Sequence, residues 1–185
     1  MSQSLRHLAE LIRKRNTVDA EIAEVVGRPA EKGHIGEFIA SKIFGINLHE
    51  SAAHRGSDGR FVGGPLDGKT VNIKYYGKQE GLLDINTKHP ADFYLVLTGP
   101  RGAAASSVGG QRPFVIESAY LFDVPRLVGA LRTRGVKIGV ATSVAKQYWE
   151  EAEVFPTSSS QLKLNDEQRA LLEEFSSRVC LGTKR

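Results

Sequence analysis

Residues 63–76 decide the fold, and they read GGPLDGKTVNIKYY. The first half is rich in glycine, proline and aspartate, which favour tight turns. In the second half, apolar Val71 and Ile73 alternate with polar Asn72 and Lys74, and a period of two is typical of a β-strand. The segment therefore predicts a β-hairpin in which a glycine-rich turn leads into the second strand.

The same stretch matches the phosphate-binding P-loop pattern G-x-x-x-x-G-K-[ST] at Gly63, Gly68, Lys69 and Thr70. A P-loop needs a helix directly after this pattern, because the amides at the helix N-terminus hold the phosphates. The residues that follow have strand periodicity, so the match predicts only a turn. The alternative, a P-loop enzyme, would bind ATP or GTP and lose that binding in Lys69→Ala.

Composition is that of an ordinary globular protein. The chain has 185 residues, of which 41% are hydrophobic and 25% charged, enough for one domain with a sizeable core. The net charge of +4 permits a polyanionic partner without requiring one. The single cysteine, Cys180, excludes an intrachain disulfide and a cysteine zinc cluster. The charged N-terminus and the lack of a long apolar run lead us to expect a cytoplasmic protein without a membrane partner.

The chain divides into helical and strand-like segments around this hairpin. We expect one domain, with a helical appendage (1–28), a core (30–150) and a C-terminal helix and tail (160–185). Helical spacing predicts two helices in the appendage, the second capped by Thr17, and further helices within 30–45, 123–135 and 165–179. Trp149 is expected to anchor an amphipathic helix to the core. Apolar or alternating runs predict strands within 69–76, 92–99, 114–122 and 136–143.

Four polar residues are candidates for a common site. Asn72 and Lys74 are two apart on the predicted strand, so they share one face. A lysine in an apolar strand is costly unless its amine reaches water, an anion or a functional partner. Asp58 follows a glycine-serine turn in HRGSDGRF, and Glu37 lies on the third predicted helix in HIGEFIA.

The third helix has a side of small residues, formed by Gly33, Gly36 and Ala40. Each glycine costs about 1 kcal/mol relative to alanine in a helix interior. Small residues let a helix lie close to a sheet, so this side could bring the helix glutamate near the strand lysine.

In this order, the segments GHIGEFIA, GSDGRF and VNIKYY resemble the PD-(D/E)XK nuclease superfamily, and more closely an uncharacterised bacterial branch with a polar-x-lysine strand. The resemblance covers roughly residues 30–98. It implies an α/β fold of the restriction-endonuclease-like type, with a mixed central sheet flanked by helices and the N-terminal helices appended. It also implies a nucleic acid partner, DNA more than RNA, and is compatible with a homodimer.

The resemblance assigns roles to the four candidates. Asp58 is similar to the principal metal-binding carboxylate, Glu37 to the helix glutamate that completes the site, and Lys74 to the lysine that orients the attacking water. Asn72 departs from the family pattern, which has Asp or Glu there; its amide oxygen can bind a cation but adds no negative charge. Asp84 is a candidate substitute for the missing carboxylate.

The implied activity is hydrolysis of phosphodiester bonds with Mg²⁺ or Mn²⁺. His54, Tyr76 and Lys78 are candidate contacts to the nucleic acid. The alternative is a catalytically weak or inactive nuclease-fold module that binds nucleic acid or a protein partner, an alternative motivated by Asn72.

Overall fold

A mixed sheet of six strands forms the centre of the structure, a computed structural model that describes residues 3–50, 56–102, 113–158 and 162–180. The strands of the chain are β1 (Ile46–Leu48), β2 (Gly59–Phe61), β3 (Thr70–Tyr76), β4 (Leu82–Leu83), β5 (Phe93–Thr98), β6 (Ser118–Asp123), β7 (Thr142–Ser143) and β8 (Glu153–Phe155). The central sheet has the order β1-β2-β3-β5-β6-β8, in which β3 and β5 are parallel and the other neighbours antiparallel. The short strands β4 and β7 pair separately.

The helices lie on both faces of this sheet. They are α1 (Gln3–Val26), α2 (Lys32–Phe44), α3 (Val124–Thr133), α4 (Lys146–Ala152), α5 (Asp166–Glu173) and α6 (Ser177–Cys180). One apolar core joins α2 and α5 to one face of the sheet, and a second joins α3 and α4 to the other. The predicted α/β class with a mixed, helix-flanked sheet is therefore confirmed.

The predicted hairpin is present as β2 and β3, joined through a 3-10 turn at Gly64–Leu66. Thr70 begins a strand, and its backbone N–H and hydroxyl both donate to Asp92 Oδ2, at 2.8 and 2.7 Å. A strand thus follows the glycine pattern where a P-loop needs a helix, which excludes the P-loop interpretation.

Several predicted elements are confirmed with their end signals. Helix α2 ends at Gly45, which has φ 64°, a left-handed conformation that glycine adopts without strain. Asp123 caps α3 by accepting from Arg126 N–H, and β5 is buried on both faces. Trp149 on α4 is 2% exposed and packs edge-on against Tyr120 and Phe122.

The two helices predicted in the appendage are one continuous helix, α1. Thr17, predicted to cap the second, instead donates its hydroxyl to Arg13 C=O one turn earlier, so its polar group is satisfied inside the helix. The helix ends at Val26, before Gly27 with φ 73°.

Other boundaries were wrong in the C-terminal half. The strand predicted within 136–143 shrinks to β7, which is outside the central sheet; β8, the edge strand of the sheet, comes from a segment with helical appearance. The strand predicted from residue 114 begins at Ser118, and the last predicted helix is interrupted between α5 and α6. Strand β1, which was not predicted, extends the opposite edge of the sheet.

In the described part of the chain, no helix combines the length and apolar character needed to cross a membrane.

Candidate functional site

The candidate site lies where β3 extends beyond the end of its neighbour β2. Strand β3 pairs with β5 from Val71 to Tyr76, but with β2 only at Thr70 and Val71. Beyond Val71, therefore, one edge of β3 has no β2 partner for its backbone. Continuing the β2 register by one residue places Asp58 opposite Asn72 at this point.

Asp58 fills the gap at this edge with its side chain. Its backbone N–H donates to Val71 C=O at 2.9 Å, and its Oδ2 accepts from Ile73 N–H at 2.6 Å. The carboxylate therefore replaces the strand that would have paired there. The next residue is Gly59, where a Cβ would lie 2.5 Å from Asn47 C=O, so β1 and β2 can approach only because this residue is glycine.

Asp58 is half-buried, and the charges around it oppose one another. Burial raises the pKa of its carboxyl above the ordinary value of 3.8, the hydrogen bond from Ile73 N–H lowers it, and the charge of Glu37 raises it further. Lys74 and Arg28 lower it. These interactions place Glu37, Lys74 and Arg28 around one carboxylate.

Glu37 reaches this position because α2 lies directly against β3. A Cβ on Gly36 would come within 3.0 Å of Tyr75 Cβ, and Ala40 is fully buried. The prediction that small residues let α2 lie close to the sheet is confirmed at Gly36 and Ala40. Gly33 is different, because a Cβ there would meet nothing within 4 Å.

Glu37 is also held by an arginine that precedes the helix. Its Oε2 accepts from Arg28 Nη1 at 2.5 Å, and the two side chains are 19% and 45% exposed. Arg28 therefore pairs with Glu37, and its positive charge also acts on Asp58.

Lys74 lies on the opposite face of β3 from the α2 contact. Its Nζ lies 4.8 Å from the centre of the Tyr94 ring, within cation–π range. Burial lowers the pKa of Lys74 below its ordinary 10.5, while the charges of Asp84 and then Asp58 raise it. The amine is thus positioned between an aromatic face and two carboxylates.

Asp84 is placed by hydrogen bonds that leave its carboxylate near Lys74. Its backbone N–H donates to Tyr76 Oη at 3.1 Å, and its Oδ1 accepts from Ala141 N–H at 2.7 Å. Burial raises the pKa of Tyr76 to about 12, so this phenol stays protonated at neutral pH. The charges that act on Asp58 are those of Glu37, Lys74 and Arg28, whereas Asp84 acts on Lys74.

The residues joined by these interactions are called the polar cluster below: Arg28, Glu37, Asp58, Lys74 and Asp84. A search of family models and of curated proteins finds nothing that matches this chain.

As a metal site, the cluster offers a small set of oxygen donors. Within residues 3–50, 56–102, 113–158 and 162–180, no group of three or more His, Cys, Asp or Glu side chains could hold a metal ion. Glu37 and Asp58 are two carboxylates that repel each other, and Asn72 lies opposite Asp58 when the β2 register is continued by one residue. Two carboxylates and an amide suit a weakly held hard cation such as Mg²⁺, which keeps most of its waters.

The other predicted contacts have different positions. His54 lies outside the described residues. Tyr76 uses its hydroxyl to hold the backbone of Asp84, and Lys78 lies just after β3, next to Gly102. His34, close to Glu37 in sequence, forms a hydrogen bond through Nδ1 with Pro29 C=O, at 3.0 Å.

Two members of the site were missed by the sequence reasoning. Arg28 sits nine residues before Glu37 in a segment that looks like a helix end, and no periodicity links the two. Tyr94 is on β5 opposite Asn72 in the parallel register, which only strand pairing reveals. Its hydroxyl accepts from Asn86 N–H, so it supports the same loop that carries Asp84.

A cavity of about 410 Å³ lies elsewhere, between α3, α4 and the end of β6. Phe93, Phe122 and Tyr148 are among its lining residues, and no member of the polar cluster lines it. Its lining also includes three exposed charged residues, Asp123, Arg126 and Glu151, the last two joined by an ion pair at 3.2 Å. The charges of the polar cluster instead act on a half-buried carboxylate, Asp58, so we favour the cluster as the functional site.

Proposed function

We propose that the protein hydrolyses phosphodiester bonds in nucleic acid at the polar cluster, with a divalent cation as cofactor. One observation carries this proposal: Asp58 is held at the unpaired edge of β3 by Ile73 N–H, beside both Glu37 and Lys74. Paired carboxylates with an adjacent lysine can bind a cation and a phosphate oxygen together.

The roles follow from the environment of each residue. Asp58 and Glu37 would hold the cation, with Asn72 as a neutral third donor; when bound, Mg²⁺ or Mn²⁺ would polarise the phosphate and lower the pKa of its water. Lys74, fixed over Tyr94, would hold the attacking water or stabilise charge that develops on the phosphate. Burial lowers the pKa of Lys74, and the charge of Asp84 opposes that shift.

The test compares two lysines on the same segment. Purified protein is incubated with plasmid DNA and with single-stranded RNA, in Mg²⁺, in Mn²⁺ and in EDTA. We expect cation-dependent cleavage that falls by about 10²- to 10⁴-fold in Lys74→Ala. Lys69→Ala, in the exposed turn, is the matched control and should cleave like the wild type. Full cleavage by Lys74→Ala would refute the proposed role.

A second function, binding without cleavage, is favoured by a specific observation. Arg28 is paired with Glu37 in the structure, and Asn72 stands where a third acid would sit. An arginine in place of a cation suits a site that binds phosphate by charge alone. This alternative predicts salt-sensitive binding of DNA and no cleavage with either cation.

Arg28→Ala separates the two functions. If the protein is a nuclease, removing the competing guanidinium frees Glu37, so less Mg²⁺ should be needed for half-maximal cleavage. If it is a binding module, the same change removes a phosphate contact and should weaken DNA binding. Asn72→Asp gives a second comparison: it should increase cation affinity and cleavage in the first case only.

A further inference from the structure

Helix α1 leaves an apolar side uncovered. None of its residues is buried, and Leu8, Leu11, Val18 and Val25 are 50%, 46%, 51% and 70% exposed. The helix contacts α2 and is only partly covered: Ala9, Asp19, Ile22, Ala23 and Val26 are partly buried, and its other residues are exposed. A helix of 24 residues without a fully buried side chain has little to stabilise it, because most helical stability in proteins comes from tertiary packing.

The uncovered side has the spacing of a coiled-coil seam. Steps of three and four residues alternate along it, and five of its six residues are apolar. The six positions are Leu8, Leu11, Arg15, Val18, Ile22 and Val25, of which Ile22 is partly buried and the other five are exposed. The exception, Arg15, forms an ion pair with Asp19 at 3.2 Å, so its charge is already balanced within the helix. A single polar residue in a seam specifies register at some cost in stability.

Charge is segregated along the helix against its own dipole. Residues 3–15 carry four basic and one acidic residue, whereas residues 16–26 carry three acidic residues and no basic one. The first turn has no acidic residue and the last turn no basic one. A helix by itself favours the reverse arrangement, with acidic residues near its N-terminus. The basic half of one helix lies beside the acidic half of a second copy only when the two helices run in opposite directions.

We propose that α1 is a dimerisation helix that pairs antiparallel with α1 of a second copy of this chain. Pairing Leu8 with Val25 of the second copy, and Leu11 with Ile22 of the second copy, keeps one consistent register along the seam. Lys14 and Glu21 lie on the same flank of the seam, seven residues apart. In an antiparallel pair this flank of one helix lies against the same flank of the other helix. Lys14 of each copy therefore faces Glu21 of the other copy, which gives two equivalent contacts.

The first test is oligomeric state. The full chain is measured by sedimentation velocity over a dilution series, with reducing agent present so that Cys180 cannot link two chains. We expect a reversible dimer, and a dissociation constant raised by more than about 100-fold in Leu11→Glu, because a charge would enter the apolar seam. Ala20→Glu places the same charge on the outward side of α1 and should dimerise like the wild type. A monomer at every concentration, or a dimer that survives Leu11→Glu, would overturn the proposal.

The second test establishes the direction of the helices. Lys14→Glu and Glu21→Lys should each weaken the dimer by about three- to tenfold, because like charges then meet twice. Mixing the two variants should restore wild-type affinity, since both contacts in the heterodimer again join opposite charges. Arg13→Glu is the matched control on the outward side and should have no effect. If mixing fails to restore the dimer, or if Arg13→Glu weakens it as much as Lys14→Glu, the antiparallel pairing is wrong.

Discussion

The two faces of β3 come from one stretch of seven residues and have opposite chemistry. Val71 and Ile73, which face α2, are 0% and 7% exposed and belong to the first apolar core. Asn72 and Lys74, on the other face, are half-buried beside Tyr94 of the second core. Strand alternation therefore lets one segment anchor a helix and present a site, without either role disturbing the other.

The largest effect is expected from truncation on the core face. Ile73→Ala removes buried methylene groups and leaves a cavity between α2 and the sheet, so the free energy of unfolding should fall by about 2–5 kcal/mol. Asn72→Ala, one residue away on the other face, should change it by less than about 1 kcal/mol. Urea unfolding of both variants measures the difference. Equal losses would mean that the two faces do not differ in packing as the structure indicates.

An intermediate loss of unfolding free energy is expected at the edge of β3, where Asp58 binds its backbone. Asp58→Ala leaves Ile73 N–H without its acceptor, which should cost about 1–3 kcal/mol of unfolding free energy. Asp58→Asn keeps an oxygen acceptor and removes a half-buried charge, so it should be at least as stable as the wild type at neutral pH while losing any cation-dependent cleavage. If Asp58→Asn destabilises as much as Asp58→Ala, the negative charge and not the hydrogen bond holds β3.

The difference in unfolding free energy between Asp58→Asn and the wild type should also depend on pH. Because burial raises the pKa of Asp58 above 3.8, its contribution to stability is present below pH 3.8 and is lost as the pH rises through the raised value. Asp58→Asn has no such group. The free energy of unfolding of the variant, relative to wild type, should therefore increase as the pH rises through this range. A constant difference would mean that the pKa of Asp58 is the same in the folded and unfolded chain.

The smallest effect compares two glycines of α2. Gly36→Ala places a methyl group within 3.0 Å of Tyr75 Cβ, and the resulting overpacking should outweigh the gain in helix propensity, for a net loss of about 1 kcal/mol. Gly33→Ala meets no atom within 4 Å and should stabilise by up to about 1 kcal/mol. Thermal unfolding of both variants gives the two signs. A stabilised Gly36→Ala would show that α2 can move away from β3 at no cost.

Features of the fold could be predicted where they depend on residues close together in the sequence. Local patterns correctly predicted the hairpin turn, the strand at Lys74, the cap at Asp123 and the glycine end of α2, because each depends on neighbouring residues. The boundary between the two predicted N-terminal helices was wrong, since Thr17 can satisfy its hydroxyl inside a helix as well as at its start. The edge strand β8 was missed because a short strand at the edge of a sheet is selected by its partner.

The sequence alone determined the two periods, helical and strand-like, and with them which side chains of β3 share a face. It also determined the order of Glu37, Asp58 and Lys74 along the chain. Only the tertiary structure decided that Asp58 fills the edge left open by β2, that Arg28 pairs with Glu37, and that Asp84 lies near Lys74. Periodicity is a property of neighbours in the chain, whereas charge pairing and the filling of a strand edge depend on distances that exist only after the sheet has formed.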